Sequence, residues 1–197
     1  PSGGLYCSII LRPHIPAERF ALITLAAGVA CCHIVEQFTD LRPQIKWPND
    51  IYVEGKKIAG ILSESCNYTY TVPKGRWAVV GIGMNVNSVS ADFPESIRSA
   101  ITTLFEQTGT RISIDKLVEP LVNELDTTVQ HLSDAPELML AEWDNYDYLR
   151  GKSLVCSTAA RTIQGIGNGL GADGRYSIID SEGVEHLILA GTIRPVD

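Results

Sequence analysis

The apolar positions follow two kinds of spacing, and the spacing changes along the chain. Residues Gly4–Leu11 partly alternate and end at Pro13 and Pro16, which predicts a strand. Pro16 suits the first turn of a helix running to about Phe38, because Phe20, Ile23, Ala27, Ala30, Ile34 and Phe38 recur near helical spacing. Gln44–Trp47 predicts a short strand and Pro48-Asn49-Asp50 a turn. Ile51–Val53, the turn Glu54-Gly55-Lys56 and Lys57–Ser65 predict a hairpin. Asn67–Gly75 reads as a polar loop carrying Pro73, and Trp77–Val86 as a strongly apolar strand carrying Gly81 and Gly83.

The middle of the chain turns helical. Ile97, Ile101, Leu104 and Phe105 predict one helix stopped by Gly109. Ser113 suits the N-cap of the next, with Asp115 in its first turn and Leu117, Leu121, Leu125, Val129 and Leu132 along its face. Pro136 opens a third helix to about Tyr146. From about Gly151 short strands (Ser153–Ser157, Arg161–Gly165, Tyr176–Asp180, Glu185–Leu189, Thr192–Pro195) alternate with Gly-rich turns. Strands and helices are mixed rather than strictly alternating, which predicts an α+β fold. A mixed sheet with helices packed on one side would occupy residues 1–149, and a small β-barrel docked on it residues 150–197.

Composition narrows the class. With 197 residues, 45% of them hydrophobic, the chain reads as a soluble globular protein. Its longest apolar run, Phe20–Cys32, is broken by Thr24 and Gly28 and falls short of the ~20 residues of a membrane helix. It reads as a buried helix, and no membrane partner is expected. The chain opens Pro-Ser-Gly-Gly without Met or a signal peptide, which reads as a fragment or a processed piece. Five cysteines without a Cys-x-x-Cys pair predict reduced thiols and a cytoplasmic location. Four scattered histidines give no zinc-ligand spacing. Residues 42–76 carry six basic and three acidic groups, whereas 91–149 carry three basic and twelve acidic groups. A locally basic segment in a protein of net charge -7 suggests a small anionic ligand rather than a nucleic-acid surface.

That basic segment holds the candidate chemistry. Lys57 begins an apolar strand, so its stem can be buried while its ammonium faces a cavity. On a regular strand Lys57, Ala59 and Ile61 share one face, and Lys56, Ile58 and Gly60 the other. Gly60 costs strand stability and marks either a close approach by a ligand or a bulge. Gly81 and Gly83 repeat the feature on the next apolar strand, and two such strands together suggest a flat apolar slot. Asn85, at the end of that run, would supply an amide to a polar ligand edge. Neither Gly-x-Gly-x-x-Gly nor a phosphate loop occurs, so a nucleotide would be held by Lys46 and Lys57, with a metal at Asp50 as a possibility. Pro48-Asn49-Asp50 equally suits a plain β-turn.

Lys46-Trp47-Pro48-Asn49-Asp50-Ile51-Tyr52 with Lys57-Ile58-Ala59-Gly60-Ile61-Leu62-Ser63-Glu64 resembles the central signature of the biotin protein ligases, the biotin–[acetyl-CoA carboxylase] ligases. Gly3–Ser8, Val80–Asn87 and Ala100–Leu104, the last similar to an Ala-Thr-Ser-Leu-like helix, follow in the family's order. The tail resembles its SH3-like C-terminal domain. The resemblance implies a class II synthetase-like, biotin–lipoate ligase fold. It implies attack of the biotin carboxylate on the α-phosphorus of ATP to give biotinyl-5′-AMP. A lysine of a biotin carboxyl carrier protein then takes the biotin. By the same resemblance Lys57 is the catalytic lysine and contacts biotin carboxylate and phosphate. Gly60, Ile61, Leu62, Gly81, Gly83 and Met84 wall the biotin slot, and Lys46, Asn49, Asp50 and Asn85 hold ATP with Mg²⁺. A homodimer is a possible assembly.

The family's Gly-Arg-Gly-Arg-x-x-Arg adenylate loop does not occur in residues 1–197. If these residues are the whole polypeptide, little ligase activity is expected; in a longer gene product the family reaction stands. The competing expectations are a non-catalytic binding module of the same fold and a lipoate or octanoate ligase or transferase. The latter lacks the Lys-Trp-Pro-Asn-Asp signature. A biotin-responsive repressor would require a helix-turn-helix ahead of this segment.

Overall fold

A computed structural model of the chain describes residues 3–66 and 76–196, so the loop expected at Asn67–Gly75 and the opening Pro1-Ser2 lie outside the described residues. Among the described residues ten strands and five α-helices follow in the order β1 Gly4–Leu11, α1 Ile23–Phe38, β2 Gln44–Lys46, β3 Asp50–Val53, β4 Lys56–Cys66, β5 Trp77–Asn85, α2 Glu95–Arg98, α3 Leu104–Thr108, α4 Asp115–Asp134, α5 Pro136–Asn145, β6 Ser153–Ser157, β7 Thr162–Leu170, β8 Tyr176–Ile179, β9 Glu185–Ile188 and β10 Thr192–Pro195. The first five strands form one sheet in the order β1-β5-β4-β3-β2, and the last five a second in the order β10-β6-β7-β8-β9.

The fold is α+β, as the spacing predicts. Its ladders are antiparallel throughout, so the larger sheet is not mixed in direction. Parallel contacts occur only as single bridges, Ile45 with Asp147 and Lys57 with Ile101 in this sheet. The second sheet runs linearly from β10 to β9, and closure into the expected barrel is not among its pairings.

One face of the larger sheet packs on α1, and α4 and α5 cover the far side of that helix. Covered on both sides, α1 is buried almost all round, including Ile23, Leu25, Val29, Cys31, Cys32 and Val35. Together with the preceding 3₁₀ turn it makes a run, Ala17–Phe38, that is long and apolar enough to cross a membrane by length and composition. The sequence reading expects no run of that length. Most of its apolar stretch is buried inside the fold, as in a core helix. His33 on α1 is bonded on both ring nitrogens, to Glu124 of α4 (2.6 Å) and Glu142 of α5 (2.9 Å).

Burial keeps the two α1 thiols protonated. It pushes Cys31 up to about 12 and Cys32 well above the ordinary thiol value. At mildly alkaline pH a thiol alkylating agent is expected to leave the Cys31–Cys32 peptide unmodified in the native protein and to label it after unfolding. Peptide mass spectrometry reads the difference, and rapid native labelling would contradict the burial.

Two helix expectations change. Ile97–Phe105 is not one helix: α2 and α3 flank a non-helical segment, 99–103, which turns at Ser99-Ala100 and then bridges to Lys57 at Ile101. Ile101, Thr102 and Thr103 are β-branched and poor helix formers. Thr103 caps α3 instead, its hydroxyl accepting from the Glu106 N–H at 3.1 Å, and Gly109 ends α3 in the left-handed region as expected. The stretch similar to a family helix, Ala100–Leu104, is therefore non-helical up to the cap. Ser113 does not cap α4 with its side chain; its carbonyl accepts from the Lys116 N–H at 3.1 Å.

Candidate functional site

The face of the larger sheet away from α1 is open. Along β5 the residues alternate, with Ala78, Val80, Ile82 and Met84 buried toward the helices and Val79, Gly81, Gly83 and Asn85 on the open side. Register carries one row across all five strands. Tyr6 of β1 stands opposite Gly83, Gly83 opposite Gly60, Gly60 opposite Asp50, and Asp50 opposite Lys46 of β2. The middle of the row is bare backbone, so the sheet presents a shelf with an aromatic ring at one end and charges at the other.

Lys57 reaches this shelf through a β-bulge. Ile51 pairs with Ala59 but Tyr52 pairs with Lys57, so Ile58 is the extra residue. Ile58 and Ala59 are both buried in succession. The regular-strand expectation, which sets Lys57 with Ala59 and Ile61, is therefore overturned: Lys57 emerges on the side of Gly60. A second device holds its backbone. The Lys57 N–H donates to the Ala100 carbonyl at 2.9 Å, and its carbonyl accepts from the Thr102 N–H at 3.0 Å. The two-residue turn that feeds β4 has positive φ at Glu54 (49°) and Gly55 (72°), the geometry that matches strand twist in a tight hairpin.

The Lys57 side chain lies over Gly60 and ends on Asp50, with Nζ 2.5 Å from Oδ1. A Cβ at Gly60 would stand 3.0 Å from that ammonium and 3.1 Å from Cε, so any side chain there would push the crossing lysine off the shelf by a few tenths of an ångström or more. On the two sides of the crossing lie two compartments. One, of about 500 Å³, is bounded by Tyr6, Ser8, Leu62, Gly81, Asn49 and Asp50. The other, of about 360 Å³, is more apolar, bounded by Tyr52, Phe93, Ile97, Ala100, Ile101 and Asn85. Lys57, Gly60 and Gly83 belong to both.

The structure thus brings together Lys57, Gly60, Leu62, Gly81, Gly83, Asn49, Asp50 and Asn85 of the expected site residues. Ile61 lines the first compartment with little exposed surface (2%), because its register partner is Ile82 on the buried side. Met84 is fully buried opposite Leu5 and Ala59, away from the open face. Asn49 serves the scaffold: its Nδ2 donates to the Ile61 carbonyl at 2.7 Å, and the Ile61 N–H donates to its carbonyl at 2.9 Å. Asn85 donates through Nδ2 to the Thr102 carbonyl at 3.1 Å. Lys46 borders neither compartment; its Nζ lies 3.5 Å from the Tyr52 hydroxyl and 5.4 Å from that ring's centre.

Tyr6, Ser8, Tyr52 and the wall Phe93-Ile97-Ala100-Ile101 are absent from the sequence-based set. Tyr6 was accessible from the alternation of β1. Of the wall, Ile97 and Ile101 read in the sequence as positions on one face of a helix. For a metal, Asp50 is the one carboxylate bordering the two compartments, and no group of three ligating side chains occurs among the described residues. Any magnesium would arrive on a polyphosphate rather than in a protein cage.

Comparisons with known proteins set the chain beside the biotin protein ligases. The family described as Biotin/lipoate A/B protein ligase matches residues 1–85. The bifunctional ligase/repressor BirA of Bacillus subtilis is 29% identical over 95% of this chain and 57% of its own length. The biotin–[acetyl-CoA-carboxylase] ligase of Mycobacterium tuberculosis is 24% identical over 91% of this chain and 64% of its own. The biotin protein ligase of Aquifex aeolicus, solved in complex with biotin and ATP, superposes with a TM-score of 0.83 at 26% identity. That superposition covers 98% of this chain and 79% of the other. The chain spans a little over half the length of the Bacillus relative.

Proposed function

The chain belongs to the biotin protein ligase family, and from that premise we propose that its open face forms biotinyl-5′-AMP from biotin and ATP and passes biotin to a lysine of a biotin carboxyl carrier protein. One observation carries this reading: a single ammonium, Lys57, crosses a glycine shelf where two compartments of different character meet. The first compartment suits the bicyclic ring and chain of biotin, lying flat on Gly81 and Gly83 beside Leu62. The second suits the adenine, between Phe93, Ile97 and Ala100, with the Asn85 amide at its edge.

In the first step a carboxylate oxygen of biotin bonds to the α-phosphorus, and the bond to the pyrophosphate oxygen breaks. Negative charge gathers on the α-phosphate oxygens, within reach of the Lys57 ammonium. In the second step the acceptor amine bonds to the acyl carbon, the acyl–phosphate bond breaks, AMP leaves and the amine loses a proton. Magnesium arriving with ATP would neutralise its phosphates, and Asp50 is the nearby carboxylate available to it.

Gly81 gives a test that spares the fold. A Cβ there would meet only the Leu62 carbonyl, at 3.6 Å. Gly81→Val is therefore expected to leave the unfolding midpoint unchanged or higher, while raising the biotin KM about tenfold or more in ATP–pyrophosphate exchange. The assay belongs on the longest natural form of the chain. No biotin-dependent exchange in that form, or an unchanged KM in the variant, would count against the reading.

A further inference from the structure

Asp50 stands between two lysines. Lys57 reaches it across Gly60 at 2.5 Å, and Lys46 is its register partner on β2. Register partners in an antiparallel pair project to the same face with Cβ atoms about 5 Å apart, well within the reach of a lysine stem. Lys46 nevertheless makes no ion pair among the described residues and rests on Tyr52. Burial lowers its pKa, Asp50 pulls it back up, and Arg194 and Lys57 add to the lowering. Two ammonium groups thus stand around one carboxylate that pairs with only one of them, and the group lacks one negative charge.

We propose that Asp50 parks Lys57 across the glycine shelf in the unliganded chain, and that Lys46 takes over Asp50 when Lys57 turns to the ligand's anion. The parked ammonium occupies the space over Gly60 that joins the two compartments, so it has to move when a ligand spans them. Leaving Asp50 unpaired and partly buried would oppose that movement. Lys46 removes the opposition by a change of rotamer, and the ligand's carboxylate or phosphate supplies the missing negative charge. Lys46 is then a positioning residue rather than a ligand of the nucleotide. The inference rests on the biotinyl-adenylate reading and deepens it.

The test is a double-mutant cycle. Biotinol-5′-AMP, an unreactive phosphodiester analogue of the adenylate, is titrated calorimetrically into the natural chain, Lys46→Met, Asp50→Asn and the double variant. Lys46→Met is expected to weaken binding about tenfold in the natural background. With Asp50→Asn present the same change is expected to cost less than about twofold, because no carboxylate remains to be handed over. Equal losses in both backgrounds would overturn the handover in favour of direct ligand contact by Lys46, and no loss in either would overturn it as well. Unfolding midpoints of the same samples identify a folding defect, which would weaken binding in both backgrounds alike and so also count against the handover. Failure of the natural chain to bind the analogue would instead remove the adenylate reading beneath it.

Discussion

Lys57→Ala is expected to lower biotin-dependent ATP–pyrophosphate exchange about a hundred- to a thousandfold, the usual loss when one preorganised donor is removed from developing charge. The scaffold should survive. The bulge and the bridge to the 99–103 segment hold Lys57 through its backbone, and alanine keeps both bonds. Its ion pair with Asp50 is partly exposed, so truncation should cost less than about 1 kcal/mol of stability. Lys57→Arg is not expected to restore the rate, because a planar guanidinium does not fit over Gly60 as a compact ammonium does. Radiolabelled pyrophosphate exchange, with thermal unfolding alongside, measures both halves. An alanine variant as active as the natural chain would remove Lys57 from the mechanism.

Trp47→Ala acts on stability instead, with an expected loss of about 3–5 kcal/mol. The indole is 5% exposed, and its Nε1 donates to the Gly174 carbonyl in the turn between β7 and β8 at 3.1 Å. Its ring lies 6.0 Å from that of Tyr176, which packs on Trp143 at 6.5 Å and donates to Asp147 at 2.8 Å. Truncation therefore opens a cavity where the two sheets join and leaves a part-buried carbonyl without its donor. Trp47→Phe should recover part of the ring contact and none of the hydrogen bond. Urea unfolding followed by circular dichroism gives the difference, and a loss under about 1 kcal/mol would show that the joint lies elsewhere.

Much of this architecture was legible from spacing. The bounds of β1, β6 and β10 follow the apolar alternation, and the buried face of α4 holds the leucines that helical spacing selects. The shelf was legible too, because glycines on adjacent strands have few other uses. What spacing missed depends on partners far along the chain. Ile58 is an extra residue only by virtue of its pairing with β3, and Ile58-Ala59 looks the same in sequence whether or not a bulge is present. The 99–103 segment is non-helical and Ile101 bridges to Lys57, over forty residues earlier, although the apolar positions around it repeat like a helix. Met84 has its role settled by parity: it falls on the buried half of a strand whose other half lines the site.

The row that crosses the sheet also gives the groove a heading. From β1 to β2 it passes from an aromatic ring to bare backbone, then to a carboxylate and an ammonium. A ligand with an apolar ring at one end and an acid at the other can lie along it in one direction only. Reversed, it would set its ring on charges and its acid against Tyr6. A compound of equal length with an acid at both ends would gain nothing from that asymmetry, so the floor alone discriminates polarity along the ligand before any loop closes above it.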